Sequence, residues 1–530
     1  MQSQSSTTSY ITEGRVVVRR TSTEIPIAGA TAPIAAALDR RRGALYASSY
    51  EIPGRYGKSD IGFADPPLAV VARGRSFEVQ ALNARGRCLL PCIERALGAV
   101  PAVAELRAHD EGGGALSGTV PPGPPGFAEE ERTRQPSVFT VLRALLRLFA
   151  SGEDRHLGLY GAFGYDLVFQ IDPIRLRLPR DPAARDLVLY LPDALTVVDH
   201  RRERAVRLEY EFAVDWKSTE GLPREGADHP ADAAAAQAQA QARRQAPARD
   251  HAPGEYAALV EQAREACRRG DLFEVVPGQV FSRPLAVPPS ELFARLIAQN
   301  PAPYGFLVNL GEGEHLCGAS PEMFVRVTGD RVETCPIAGT VARGRDALED
   351  AQQIGRLLAS GKDESELTMC TDVDRNDKSR VCLPGSVRIL GRRNIELYSR
   401  LIHTVDHVEG RLRPGYDALD AFLSHAWAVT VTGAPKLDAM QFIEDHERSP
   451  RRFYGGAVGL CAFDGRIDSG LTLRTIQIAN GRADVRAGAT LLYESHPGAE
   501  EAETELKAAA LLAVLEPATV APDGARVAAG

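Results

Sequence analysis

Between Glu220 and Arg249 the chain runs EGLPREGADHPADAAAAQAQAQARRQAPAR, with almost no large apolar side chain. Such a stretch cannot bury enough surface to offset the entropy of ordering it. It reads as a linker or an exposed, helix-like tether, so packed structure must come from the residues on either side. The expected division is an N-terminal region over 15–219, a linker over 220–252 and a second region over 253–515. Residues 1–14 and 516–530 are expected to be disordered ends. Glu111–Gly126 (EGGGALSGTVPPGPPG) is a further Gly/Pro-dense loop.

On both sides of the linker, strand and helix signals mix without strict alternation. Arg15–Arg19, Leu68–Ala72 and Ala205–Glu211 read as strands and Val138–Ala150 as a helix. Beyond the linker, Glu255–Arg269 has a helical pattern that stops at Gly270. Phe273–Val276, Gly305–Leu310, Met323–Val327, Arg331–Thr334 and Leu471–Ile478 read as strands. The pattern favours an α+β fold over a doubly wound sheet.

The charge balance, 62 Lys+Arg against 70 Asp+Glu for a net charge of −8, argues against nucleic acid as a partner. No apolar run approaches the roughly 18–20 residues that span a bilayer, and Met1–Tyr10 lacks the layout of a signal peptide. The eight cysteines form no CxxC pair. A reduced, cytoplasmic enzyme that neither binds nucleic acid nor enters a membrane is the expectation.

Two acidic pairs stand at i, i+3: Asp363 with Glu366, and Glu500 with Glu503. On two facing helices they could present four carboxylates to one hard cation such as Mg²⁺. A solvated helix surface with Lys362 and Lys507 as neighbours has the same spacing. DVDRND (Asp372–Asp377) begins like a calcium loop but carries Asp377 and Leu383 where Gly and Glu are required, which excludes that reading. Glycine-bearing turns at Ile337–Thr340, Thr430–Lys436, Tyr454–Gly456 and Gly488–Thr490 could bring backbone N–H groups to a carboxylate. None is a phosphate loop. His403, in LIHTVDHVEG, is a base or a structural histidine.

Taken in order, CPIAGTVARG (Cys335–Gly344), Lys362–Cys382, SRLIHTVDHVEG (Ser399–Gly410), AVTVTGAPKLDAM (Ala428–Met440), YGGAVG (Tyr454–Gly459), LTLRTI (Leu471–Ile476) and Arg486–Ala508 resemble the chorismate-utilising enzymes, most closely anthranilate synthase component I. The resemblance runs through nearly all of 253–512, with SSYEIPGRY (Ser48–Tyr56) and GAFGYDL (Gly161–Leu167) as weaker matches upstream. It implies two antiparallel sheets packed as a sandwich with helices outside.

The same resemblance implies roles residue by residue. Glu366 and Glu503 would be direct Mg²⁺ ligands, with Asp363 (where Glu is usual) and Glu500 acting through waters. Gly339, Thr340, Gly488, Ala489 and Thr490 (where Gly is usual) would contact substrate. Tyr454 and Arg474 would hold the enolpyruvyl carboxylate. Glu322 would protonate the departing hydroxyl, His403 would serve the loss of pyruvate, and Thr430 would line the same pocket. Ala338 stands where a nucleophilic Lys occurs in aminodeoxychorismate synthases, and Glu274 where isochorismate and salicylate synthases carry a water-activating Lys. Both departures point to ammonia attacking C2 of chorismate.

No cysteine lies in a GxCxGxQ setting, so a separate glutamine amidotransferase subunit is the expected source of ammonia. Ser49 and Pro303, Tyr304 and Gly305 match an inhibitory L-tryptophan pocket. Ser48 stands there for the usual Glu and Gly305 for the usual Met, which implies a looser pocket. The leading expectation is the subunit that makes anthranilate and pyruvate for tryptophan biosynthesis. 2-Amino-2-deoxyisochorismate synthase, which stops after amination, and a catalytically inactive regulatory paralogue are the alternatives.

Overall fold

The computed structural model describes residues 5–109, 114–124, 126–225 and 248–516. Most of the low-complexity segment and nearly all of the tail expected to be disordered lie outside the described residues.

Tyr304–Gly311, YGFLVNLG, shows why the strands here read as continuous apolar runs rather than as alternations. Phe306, Val308 and Leu310 belong to the largest hydrophobic core, while Leu307 faces a second core on the other side. Alternate side chains of a strand point to opposite faces, and here both faces are covered.

Two large sheets result, one of twelve and one of thirteen described strands, paired antiparallel. The main core takes Phe63, Phe306 and Leu316 from the first sheet and Val70, Phe163 and Val325 from the second, as expected for sheets packed face to face. Helices Pro289–Gln299 and Pro497–Leu512 cover the outer face of the first sheet through Leu292, Leu296, Ala508 and Leu511. The α+β sandwich is the observed fold. No helix among the described residues is long and apolar enough to cross a membrane.

Both sheets interleave strands from before and after the low-complexity segment. Gly43–Ala47 lies between Ser59–Ala64 and Tyr304–Gly311. Gly158–Phe163 lies between Leu187–Leu191 and Ala457–Ala462.

The local signals hold in part. Glu255–Arg269 is a helix, and Gly270 ends it at φ 81°, donating to Ala266 O and Cys267 O. Three expectations need correction. Residues Ser5–Ile11, expected to be disordered, pair with Val17–Ile25; Thr, Tyr and Ile favour strand, and the Ser and Thr side chains suit an exposed edge. Within the expected loop Glu111–Gly126, Ala115–Thr119 is a strand. The strand expected over Leu471–Ile478 is broken, because Arg474 sits at φ 50° between Ile467–Leu471 and Thr475–Ala479.

Candidate active site

The bulge at Gly339 shapes one wall of a cavity of about 140 Å³. Strand Ile337–Ala342 pairs with Leu401–Arg411, and the register slips between Ala338 and Thr340. Gly339 takes φ 75° there, and a Cβ would stand 3.0 Å from Thr404 Oγ1 and 3.1 Å from Asp363 Cβ. After the slip, Thr340 opposes His403. His403 Nδ1 lies 3.0 Å from Thr340 Oγ1 and 3.3 Å from the Gly339 carbonyl. A carbonyl only accepts, so Nδ1 carries the proton and Nε2 keeps its lone pair. Burial, then the charge of Arg474, pushes the His403 pKa down to about 3, so the ring is neutral at any working pH.

Glu322 and Thr430 line the same cavity. Thr430 Oγ1 donates to Glu322 Oε1 at 2.9 Å. Burial pushes the Glu322 carboxyl up to about 8, against the hydrogen bonds from Thr430 and the Ile337 backbone. At neutral pH it therefore still carries a proton to give.

Opposite, helix Gly361–Val381 supplies Lys362, Asp363 and Glu366, and helix Pro497–Leu512 supplies Glu503 and Lys507. Both acidic pairs do lie on helices. Burial raises the Glu366 carboxyl to about 7, with Glu503 adding to it and Lys362 and Lys507 opposing. Burial also acts on Glu503, but Lys507, 2.7 Å away, outweighs it and lowers that carboxyl. Glu500 is turned to Lys362 at 3.1 Å. In this arrangement no three acidic, His or Cys side chains among the described residues are gathered closely enough to hold a metal ion.

Tyr454, Arg474, Gly488 and Thr490 complete the lining. The left-handed backbone that breaks the strand at Arg474 accompanies its place in the cavity wall, and burial lowers the guanidinium below its ordinary pKa. Gly488 is a close-approach position, since a Cβ would come within 2.7 Å of Pro277 O. Thus all the residues expected in the central site line one cavity except Ala489 and Glu500. Ala489 is fully buried behind the wall, its N–H donating to Tyr256 Oη at 3.2 Å.

The residues matched to an inhibitor pocket lie elsewhere. Pro303, Tyr304 and Gly305 line a separate cavity of about 770 Å³ together with Ser48, Tyr56 and Asp468. Ser49 does not line it; its hydroxyl donates to Ala302 O at 3.2 Å and accepts from Ala302 N at 3.0 Å. Gly305 leaves no gap, because a Cβ there would stand 2.5 Å from Ile297 Cδ1 and 2.6 Å from Ala47 O. The loosening expected from the missing Met side chain does not arise at that point.

The chorismate binding enzyme family profile matches residues 125–513, which contain the whole central cavity. The chain belongs to the chorismate binding enzyme family. Its relatives in that family include an anthranilate synthase of Azospirillum brasilense, 60% identical over 507 residues, covering 94% of this chain and 67% of that one. Anthranilate synthase component 1 of Thermus thermophilus is 37% identical over 408 residues, covering 73% and 84% of the two chains. The crystal structure of anthranilate synthase component I from Streptococcus pneumoniae matches with a TM-score of 0.61 at 25% identity, covering 87% and 93%. The menaquinone-specific isochorismate synthase of Escherichia coli shares the fold, with a TM-score of 0.60 at 16% identity over 94% and 95% of the two chains.

Several supports of this chorismate-family cavity went unnoticed in the sequence. Arg451, fully buried, stacks its guanidinium 5.5 Å from the Tyr454 ring centroid and pairs with Glu447 at 2.7 Å. Arg486 pairs with the same Glu447 at 2.6 Å. The available signal was the basic run Arg448, Arg451, Arg452 just before Tyr454. Tyr256 Oη also donates to Pro277 O at 2.7 Å, bracing the backbone that abuts Gly488. Glu274 is fully buried with Oε2 unpartnered, and burial, then Glu366, raises its carboxyl well above the usual range.

Proposed function

We propose that this chain is the aminating subunit of an anthranilate synthase, converting chorismate and ammonia to anthranilate, pyruvate and water in the tryptophan pathway. The observation that carries the reading is one cavity holding both a carboxyl protonated up to about pH 8, Glu322, and a neutral imidazole with a bare Nε2, His403. The 60% identity to an anthranilate synthase along 94% of the chain supports it.

In the first step ammonia forms a bond to C2 of chorismate, and the C4 hydroxyl departs as water with the proton of Glu322. In the second, His403 Nε2 takes the proton from C2 as the bond to the enolpyruvyl oxygen breaks and pyruvate leaves. Arg474 and Tyr454 would hold the enolpyruvyl carboxylate, where a guanidinium gives a strong charge-assisted pair. Thr430 orients the acid; Thr340 and the Gly339 carbonyl orient the base. Backbone groups at Gly339 and Gly488, and the hydroxyls of Thr340 and Thr490, would contact the ring substituents, while Ala489 supports Gly488 from behind.

Mg²⁺ is part of the proposal. The all-oxygen donor set suits a hard cation, and Glu366 and Glu503 are two partly exposed carboxyls whose charge is offset here by Lys362 and Lys507, with Thr490 hydrogen-bonded to Glu366 and Arg474 facing Glu503. Glu366 and Glu503 would bind directly and Asp363 and Glu500 through water, with Lys362 and Lys507 giving way. When bound, the ion offsets the negative charge of the ring carboxylate. Ammonia would come from a glutamine amidotransferase partner, and the cytoplasm is the proposed location. Incubating the chain with chorismate, Mg²⁺ and ammonium tests the reading: anthranilate is the expected product, and the non-aromatic amino intermediate alone would overturn it.

A further inference from the structure

The DVDRND motif that fails as a calcium loop builds something else. It lies on the C-terminal half of helix Gly361–Val381, the helix whose first turns bring Asp363 and Glu366 to the cavity. Asp374, Asp377 and Lys378 point inward, and Lys378 is completely buried. Its Nζ donates to Asp374 Oδ1 at 3.0 Å and Oδ2 at 2.9 Å, and to Thr334 Oγ1 at 2.5 Å. Thr334 in turn donates to Asp374 Oδ2 at 2.8 Å.

The fourth neighbour of that ammonium is His425 Nε2, at 3.3 Å. His425 Nδ1 faces the Ala421 carbonyl at 2.7 Å, so Nδ1 holds the proton and Nε2 accepts from Lys378. Lys436, paired with Asp377 at 2.6 Å, donates to the His425 carbonyl at 3.0 Å. Two residues separate Thr334 from Ile337, and four separate His425 from Thr430. Ile337 and Thr430 are the two hydrogen-bond partners of the Glu322 carboxyl. One buried ammonium thus anchors both short segments that present donors to Glu322.

We propose that Lys378 and Asp374 are positioning residues for the Glu322 proton donor, fixing the segments 334–337 and 425–430 that hold its carboxyl. The inference rests on Glu322 being the acid of the proposed reaction. A buried ion pair is seldom retained for stability alone, since apolar replacements of similar volume are often as stable. A pair that fixes the geometry of a proton donor has a use that an apolar replacement lacks. The titratable groups facing Glu322 are Asp374 and Cys370, both on this helix, with His403 and Arg474 on other walls of the same cavity.

The test uses the full chain with chorismate, Mg²⁺ and a fixed concentration of free ammonia. Asp374→Asn and Lys378→Met should each lower kcat about tenfold or more, with KM for chorismate within about twofold. Their alkaline limbs should move in opposite directions. Asp374→Asn removes a carboxylate facing Glu322 and moves the limb to lower pH; Lys378→Met leaves that carboxylate uncompensated and moves it to higher pH. Should either single variant fail to fold, Asp374→Asn with Lys378→Met leaves no unpaired buried charge and should show the same loss of kcat at unchanged KM. A folded double variant with wild-type kcat, or singles with unmoved limbs, would overturn the proposal. Glu322→Gln run alongside separates the two readings: if it stays active, Glu322 is not the acid and the premise itself falls.

Discussion

The hydroxyl of Thr430 and the carboxyl of Glu322 are joined at 2.9 Å inside a wall that leaves Glu322 only 4% exposed. That bond favours the ionised carboxylate, yet burial prevails and holds the group protonated to about pH 8. Glu322→Gln should therefore lower kcat by roughly 10²–10⁴-fold, the usual contribution of a general acid.

The same carboxyl makes stability depend on pH. Its folded pKa is raised from 4.5 to about 8, so the native state binds the extra proton across that window. The stabilisation is complete below the unfolded pKa and is lost as pH rises through the folded one. Thermal melts at pH 6 and pH 9 should show a smaller drop for Glu322→Gln than for the wild type. An equal drop would place the titration on another group.

His403→Met should still aminate chorismate but accumulate the non-aromatic amino intermediate, because amination draws its proton from Glu322. Chromatography of the products beside those of the wild type decides. With its pKa near 3 the imidazole does not ionise in the working range, so no acidic limb between pH 5 and 8 should be assignable to His403. Anthranilate at the normal rate from the variant would make His403 a structural residue.

Glu366→Gln or Glu503→Gln should cost more Mg²⁺-supported activity than the roughly 10–100-fold typical of outer-shell partners. A Mg²⁺ titration of ammonium-dependent turnover is the measurement. Full activity of both variants at ordinary Mg²⁺ would remove these residues from the metal proposal.

Gly339→Ala forces a side chain onto a backbone at φ 75° and within 3.1 Å of Asp363 Cβ. The conformation alone costs about 1–2 kcal/mol, and the bulge that sets Thr340 against His403 should shift with it. Denaturant unfolding should register the stability loss, and turnover should fall by more than stability explains.

Inhibition by tryptophan should be weak. Ser49 already exchanges hydrogen bonds with the Ala302 backbone, and Ser48 offers no carboxylate to an ammonium group. A titration of activity with tryptophan checks this, and tight inhibition abolished by Ser49→Ala would contradict it.

What could be read from the sequence was what a short window carries. The i, i+3 carboxyls sit on helices as their spacing requires, and Gly270 ends its helix. The glycine turns at Gly339 and Gly488 became close approaches to the cavity. Lys362 and Lys507, noted only as neighbours of the acids, proved to be ion partners of Glu500 and Glu503, and nothing in the spacing separated those outcomes. The break at Arg474 was invisible because Leu471–Ile478 has strand composition throughout; only the cavity gives the left-handed residue a purpose. The buried network of Asp374, Lys378 and His425 joins positions 51 residues apart at its extremes, beyond any local pattern.

The interleaving of strands has a consequence during synthesis. Gly158–Phe163 must wait for Ala457–Ala462, about 300 residues later, before one of its flanks is covered. At roughly 5–20 residues per second, that exposes an apolar strand edge for about 15–60 s on each growing chain. Chains released before that point carry an uncapped edge of continuous apolar sequence, ready to pair with another such chain. Protection of the nascent chain during that interval is thus a requirement on folding separate from the stability of the finished fold.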